Sequence, residues 1–387
     1  MRKIKIAHIV YGLKLAGAEK LIWYLTSRPD RSRYESVVAT LSMGGPMEEM
    51  LRDSGVPVRF IAKRHRYDVS VLPRLVRFLR REQIDVVHTH LFGGDIWGRT
   101  AAAIARVPLI VSGMQAVDLW LTPPQRALER WTSHVAHRLI AASEAVKHFY
   151  VSAVGVPEEK ISVVYNGIDC ARLPAAVNRR GKFRELGITD RALLVAVACR
   201  LEAQKDLHTW LRAARLIIRE IPGVEFVIAG EGSQRQELQE LSRSLGISER
   251  VHFLGLRNDV DELFSASDLM MFSSRFEGLS LALLEAMASG KAVIATDIGE
   301  NRAVIWHGRN GVLINPGDAD ALAGAAVRLL KDDRERQRLG EAAHRTVRER
   351  FTVERWVDEI LAIYEKGLND FTTEARRARS KGIDYRK

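Results

Sequence analysis

Short apolar runs and amphipathic stretches alternate along the chain from residue 4 onward. The runs "IKIAHIV", "SVVATL", "VPVRFIA", "IDVVHTH", "VPLIVSG", "HRLIAAS" and "ISVVY" come first. Each has strand length, and a helix-length segment separates it from the next. Continuous rather than alternating apolar character predicts parallel strands buried on both faces, joined by crossover helices. A second series follows: "LLVAVACR", "VEFVIAG", "RVHFLG", "DLMMFSS", "KAVIATD" and "NGVLINP". The expected class is α/β, with two doubly wound domains over 1–172 and 173–350. The stretch "IDCARLPAAVNRRGKFRELG" reads as a linker that opens with a turn and ends in a helix. Two domains also suit 387 residues, more than one hydrophobic core sustains.

Composition narrows the setting. The longest apolar runs, such as "ALLVAVAC" at 192–199, fall short of the roughly 18 residues of a membrane span. The N-terminus reads directly into a strand, without a signal-type apolar region or cleavage site. Cys170 and Cys199 have neither metal nor redox spacing, which points to a reducing, cytoplasmic setting. Charge is uneven: residues 1–170 carry 24 Lys/Arg against 16 Asp/Glu, and the tail 371–387 carries 6 against 2. The Arg-rich "ARRARSKG" in that tail reads as disordered. Basic asymmetry attracts nucleic acid, anionic lipid or a polyanionic substrate. No recognition motif or interleaved aromatic pattern supports nucleic acid. In "RHRYDVSVLPRLVRFLRRE" at 64–82, Val71, Leu72, Leu75, Val76, Phe78 and Leu79 recur at helical spacing among arginines. This is the pattern of an interfacial helix on an anionic membrane surface, or of a stripe packed on the sheet beneath solvated cations.

Ligands of open parallel sheets bind beyond the carboxyl ends of the strands, so the loops there carry the candidates. "YGLKLAGAEK" holds Gly12 and Gly17 at P-loop spacing but lacks the Lys and Ser/Thr of that motif. It offers a glycine at a helix start, suited to an anion or to a plain turn. "HTHLFGGDIWGR" sets His88 and His90 on one strand face. With no further ligand at suitable spacing, a hydrogen-bonding or structural role for His90 stands ahead of a metal. "CRLEAQKD" brings Arg200 and Lys205 to a helix start, a diphosphate site in composition, although loop cations are commonly just solvated. "AGEGS", with Gly230, and "FLGLRND", with Leu256, are further glycine turns.

"DLMMFSSRFEGLSLALLEAMASG" reads as a strand, a loop with Glu277 and Gly278, and a helix from about Ser280 to Ser289 that contains Glu285. A carboxylate buried among leucines needs donors. Ribose hydroxyls are one source and an internal arginine another. Gly278, Leu279 and Ser280 present backbone N–H groups at the helix start, where a phosphate fits.

Glu277 and Glu285 form the E-x7-E pair, and "FEGLSLALLEAMASGKAVIATDIGENRAVI" resembles glycosyltransferase family 4, the retaining GT-B enzymes. "VVYNGID", "CRLEAQKD", "IAGEGS" and "NGVLINPGD" match in the family's order, so the resemblance covers nearly the whole chain. It implies a GT-B fold, two Rossmann-like domains facing across a cleft, with a last helix at about 351–368 returning to the first domain. It implies a nucleotide-sugar donor, UDP- or GDP-linked, held by the second domain, and a glycan or lipid-linked acceptor held by the first. Carried over, Arg200 and Lys205 neutralise the leaving diphosphate, Glu285 holds the ribose and Glu277 meets the transferred sugar. Gly17 lies near the donor phosphate or the acceptor, and Leu256 near the base. No metal or other cofactor is expected. Where many members carry a histidine after the fifth strand, this chain has Met114, which leaves that role lost or taken by Gln115 or His90. A sugar-nucleotide hydrolase or epimerase on the same scaffold is the alternative activity.

Overall fold

The computed structural model describes residues 2–380 apart from 15–16, 43, 62, 66–67 and 175–176. Two compact units emerge, one from Met1–Asn166 with Glu354–Lys387, the other from Gly167–Val353. The expected division at 172 instead lies within a turn, Cys170–Arg172, of the second unit. Ile168 is already bridged to Thr352 there.

Seven strands make the first sheet: β1 (Ile4–Val10), β2 (Tyr34–Thr40), β3 (Val58–Phe60), β4 (Val86–His90), β5 (Leu109–Met114), β6 (Arg138–Ala141) and β7 (Ile161–Val163). Their order is β3-β2-β1-β4-β5-β6-β7, and every pairing is parallel. The second sheet has β8 (Leu193–Ala198), β9 (Val224–Ala229), β10 (Val251–Gly255), β11 (Leu269–Phe272), β12 (Ala292–Thr296) and β13 (Val312–Ile314). Its order is β10-β9-β8-β11-β12-β13, again parallel throughout. In both, winding reverses direction once, between β1 and β4 and between β8 and β11. The loops following those neighbours diverge, which opens a crevice at the sheet edge.

Glycines let a helix lie directly on the first switch point. The helix Leu91–Ala105 contains Gly94 and Gly98; a Cβ on Gly94 would lie 2.7 Å from the Ile9 carbonyl oxygen, and one on Gly98 2.5 Å from Thr89 Cγ2. The close approach buries a polar network. Thr89 donates to Asp95 at 2.5 Å, Arg99 donates to Glu129 and to Ser112 at 2.6 Å each, and Arg99 lies 3.5 Å from Asp95. Arg99, Asp95 and Glu129 are all buried, so two carboxylates share one guanidinium. Burial pushes the Asp95 carboxyl above the ordinary carboxylate range, against the pull of Arg99.

The stripe of the helix Val71–Glu82 faces the sheet. Val71, Leu75, Val76 and Leu79 are core residues, with Leu72 and Phe78 packed against them. Of the two readings of that stripe, the one packed on the core holds for Val71, Leu75, Val76 and Leu79, while Leu72 and the edge of Val76 also border a shallow groove beside Arg77, Arg80 and Arg81. Arg77, Arg80 and Arg81 remain exposed, and Arg74 pairs with buried Asp68 at 2.7 Å. Arg66 lies outside the described residues.

The helix expected at about 351–368 runs from Val353 to Ser380. Trp356, Ile360 and Tyr364, four residues apart and buried, form the stripe that seats it on the first unit. Residues 371–380, expected to be disordered, continue it, since each added residue of a formed helix gains one backbone hydrogen bond and "TEARRAR" holds mostly good helix formers. Residues 381–387 lie outside the described residues.

The raised Asp95 pKa makes the stability of this unit depend on pH. Because the folded state favours the protonated acid, this group's contribution is fully present below the unfolded carboxylate value, about 4, and is lost as pH rises through the raised folded value. Asp95→Asn, neutral at every pH, should flatten that limb. Thermal unfolding at about pH 5 and about pH 8 should show the variant faring better, relative to wild type, at the higher pH. A larger deficit at the higher pH would mean that Asp95 is ionised in the folded protein.

Candidate active site

The second switch point brings the loops after β8 and β11 face to face. Lys205 ends a short 3-10 turn, Ala203–Lys205, and Asp206 follows at φ 45°, in the left-handed region that Asp tolerates better than most residues. Asp206 caps the helix Leu207–Glu220 by accepting from the Thr209 amide at 3.4 Å, and its other oxygen accepts from the Thr209 hydroxyl at 3.0 Å. Ser273, just past β11, donates to the Lys205 and Asp206 carbonyls at 2.8 and 3.0 Å. The Arg275 amide donates to the Gln204 carbonyl at 2.8 Å. Backbone and side chain thus hold the two loops together.

Glu277 sits at the centre of this junction. It is 7% exposed, and Lys205 Nζ forms an ion pair with its Oε1. Ser274 Oγ donates to the same oxygen at 2.6 Å, and Gln204 Nε2 donates to Oε2 at 3.2 Å and to the Phe276 carbonyl at 2.9 Å. These donors and the adjacent cation offset the cost of burying the carboxylate. Arg200, in contrast, is exposed, and its guanidinium donates to Gln204 Oε1 at 3.2 Å. The site therefore holds one neutralised and one solvent-facing cation.

Glycine supplies the second wall. Gly230 has φ 136°, and a Cβ there would lie 1.9 Å from the Cys199 carbonyl oxygen; one on Gly232 would lie 2.3 Å from that of Leu201. No other residue fits either place without moving backbone. The Glu202 carboxylate accepts from the Ser233 amide at 3.0 Å and its hydroxyl at 2.7 Å, tying the β8 loop to this turn. Leu256, after β10, is 73% exposed, an apolar side chain left at the sheet edge.

Ser280 caps the helix Leu281–Ala288 by accepting from the Leu283 amide at 3.3 Å. Gly278 and Leu279 are buried just ahead of it. Glu285 is half-buried, where full burial was expected. The helix commits Leu283, Leu284, Ala286, Met287 and Ala288 to the core, and Glu285 falls on the less covered side.

Within the first unit, Gly17 opens the helix Gly17–Ser27, and Gly12 lies in the preceding loop. His90 ends β4 as the N-cap of the next helix. Gln115 follows β5 and accepts from Asn166 Nδ2 at 3.1 Å. His90 and Gln115 line one small cavity with Gly113 and Asn166. Met114 is a buried core residue.

Residues 15–172 match the family described as Glycosyltransferase Family 4, and residues 178–346 match Glycosyl transferases group 1. The chain belongs to glycosyltransferase family 4. It is 29% identical to the UDP-Gal:alpha-D-GlcNAc-diphosphoundecaprenol alpha-1,3-galactosyltransferase of Escherichia coli, over 94% of this chain and 97% of the relative. It is also 29% identical to the N-acetyl-alpha-D-glucosaminyl L-malate synthase of Bacillus anthracis, over 79% of this chain and 80% of that one. The crystal structure of Anabaena HepE with UDP and glucose has the same GT-B fold, with a TM-score of 0.85 at 23% identity, covering 94% of this chain and 100% of that one.

Two groups of this glycosyltransferase escape a reading of its motifs. Glu300, in the helix Gly299–Arg302, is buried, and burial together with the Glu277 charge raises its carboxyl pKa. Its only sequence signal is its place after β12. His8 lies in β1, inside an apolar run, and joins His88 and His90 in a buried cluster.

The two cations should separate by stability. Lys205→Ala strands a buried carboxylate and Glu277→Gln a largely buried ammonium, so each should cost about 2–3 kcal/mol. The double variant should cost clearly less than the sum, with a coupling of about 1 kcal/mol or more. Arg200→Ala should stay within about 0.5 kcal/mol of wild type. Urea unfolding of the four proteins checks this; additive losses would mean that the pair carries no net interaction.

Proposed function

We propose that this glycosyltransferase moves a hexose, with retention, from a UDP-sugar to a lipid-linked glycan acceptor in cell-surface polysaccharide or glycolipid assembly. The observation that carries the reading is the Lys205 to Glu277 pair beside exposed Arg200 at the β8/β11 switch point. UDP is favoured over GDP because the Escherichia coli relative is named for UDP-Gal and the Anabaena structures hold UDP and UDP-glucose. The name of the same relative, with its diphosphoundecaprenol acceptor, supports a lipid-linked acceptor here.

In this reading Arg200 and Lys205 receive the diphosphate, whose charge grows as the glycosidic bond breaks through an oxocarbenium-like transition state. Fixed cations aimed at the departing oxygens lower that barrier most. Lys205 swings from Glu277 to the diphosphate when the donor binds, and the freed carboxylate accepts from sugar hydroxyls. Until then their ion pair keeps both side chains in place. Glu285 accepts from the ribose hydroxyls. The amides of Gly278, Leu279 and Ser280 meet phosphate at the start of the helix. Gly230 lets the backbone turn beneath the donor, and Leu256 packs on the base. Gly17 presents its amide to phosphate or acceptor, and Gly12, His90 and Gln115 belong to the acceptor side, with Met114 too buried to replace the family histidine. No metal is assigned to the diphosphate, whose charge is met by Arg200 and Lys205.

The acceptor unit is assigned to the cytoplasmic face of an anionic membrane. Arg77, Arg80 and Arg81 flank a shallow apolar groove that ends at exposed Ile104, and Leu128 and Trp131 are exposed on the helix Pro123–Ser133. No helix among the described residues is long and apolar enough to cross a membrane. Contact would therefore be superficial, with each cation near the surface adding about 1 kcal/mol.

Arg200→Ala should lower kcat with UDP-sugar by about 10- to 100-fold, the equivalent of one charge-assisted contact, while the melting temperature holds. Glu285→Gln should mainly weaken donor-induced thermal stabilisation. Unchanged kcat in the first, at saturating donor, would remove the diphosphate assignment. Co-sedimentation with anionic vesicles should weaken with added salt and with Arg77, Arg80 and Arg81 changed to Gln. Equal pelleting on neutral vesicles would remove the membrane assignment.

A further inference from the structure

The first switch point carries a histidine cluster that the donor site does not use, and of its three members only His90 is also placed on the acceptor side. β1 and β4 pair so that His8 stands directly across from His88, and His90 follows two residues later on the same face. All three imidazoles are buried, at 0, 2 and 3% exposure. One ring nitrogen of each lies within 4.8 Å of the other two. His8 Nδ1 is 3.1 Å from His90 Nε2, close to the roughly 3.3 Å edge of a tetrahedron built on zinc–nitrogen bonds of about 2.0–2.1 Å.

Hydrogen bonding within the protein leaves this cluster short of partners. The Tyr364 hydroxyl lies 2.5 Å from His88 Nδ1, and the His8 to His90 contact uses one nitrogen of each ring. Among the described residues His8 Nε2 and His88 Nε2 are buried with no hydrogen-bond partner, and since His8 turns Nδ1 to His90, it is His88 Nε2 that an ion in the cluster would meet. Buried polar atoms of that kind cost about 1–3 kcal/mol each unless something meets them. Burial holds the rings neutral: the His8 pKa falls to about 3, and those of His88 and His90 fall well below the ordinary value. Neutral imidazole is the form that donates a lone pair to a metal.

Gly113 of β5 keeps the space ahead of His88 Nε2 open. A Cβ there would lie 3.0 Å from His88 Nε2 and 3.5 Å from His90 Nδ1. The space is a cavity of about 10 Å³, bordered by His88, His90, Gln115 and Asn166, enough for one water or hydroxide. Asn166 Oδ1 is also buried without a hydrogen-bond partner among the described residues.

We propose that His8, His88 and His90 form a buried site for a divalent transition metal of the zinc type, with a water or hydroxide from the Gly113 cavity as fourth ligand. Three imidazoles with no carboxylate favour Zn²⁺ over Mg²⁺, Ca²⁺ or Mn²⁺. Tyr364 fixes the His88 ring through its other nitrogen, the usual outer-shell arrangement of metal-bound histidine. The ion ties β1 to β4 and, through Tyr364, to the C-terminal helix; its role is structural and independent of the donor reading.

The test is metal content of the full chain, made in zinc-supplemented medium and dialysed against a weak chelator. About one zinc per chain is expected in the wild type and less than about a tenth in His88→Gln/His90→Gln. Gly113→Ala, whose methyl enters the cavity while the strand backbone is kept, should lose zinc and stay folded. Tyr364→Phe should weaken zinc affinity by about 10- to 100-fold. Wild-type protein unfolded with chelator and refolded with Co²⁺ should show the visible bands of tetrahedral cobalt. Wild-type protein without zinc and without those bands overturns the site, and so does zinc that persists in the double histidine variant.

Discussion

The reversal of strand order at one place in each parallel sheet is the constraint on which the rest of this structure depends. Parallel strands joined by right-handed crossovers bury both faces, so polar chemistry is confined to the strand ends. Where winding changes direction, the loops after two neighbouring strands part, and residues distant in sequence meet. β8 and β11 bring Lys205 to Glu277 across 72 positions. β1 and β4 bring His8 to His88 and His90. The chain uses the same topological feature twice with different chemistry: a compensated ion pair beside a free-standing cation in one unit, uncharged imidazoles in the other.

Each buried charge is matched in its own way. Glu277 has a lysine and two neutral donors. Arg99 is shared by Asp95 and Glu129, and the excess negative charge is relieved by a raised carboxyl pKa. Glu300 lies near Glu277, and its pKa also rises. Isolated ionised groups in a low-dielectric interior are too costly to persist, so each site resolves into pairing, hydrogen bonding or protonation. The histidine cluster differs because it brings together three buried rings with no charged partner among the described residues.

The family resemblance and the geometry meet most closely in the second unit. Glu277, Lys205, Gly230 and Ser280 all lie in the loops or helix starts that follow β8, β9 and β11. The requirement for glycine at 230 is backbone contact with Cys199, which explains the residue without reference to a ligand. Lys205 is as much a structural partner of Glu277 as a candidate for the donor, so its loss cannot be read through activity alone.

Local pattern in the chain was enough to mark both sheets, since continuous apolar runs of strand length with helix-length spacers admit few other arrangements. It also marked the helix from Ser280 to Ser289, the glycine turns and the placing of Arg200 and Lys205 in a post-strand loop, because capping and turn chemistry act over a few residues. Four matters were decided only by tertiary structure. The stripe at 71–79 belongs to the core, because an amphipathic period says that a face is covered but not by what. The segment 371–380 is helical, because an already formed helix extends at little cost. Glu277 finds Lys205, rather than leaving it for solvent, because strand order makes their loops neighbours. His8, an unremarked histidine in an apolar strand, becomes the third member of a cluster because parallel register sets it against a residue 80 positions away, a distance that no local period encodes.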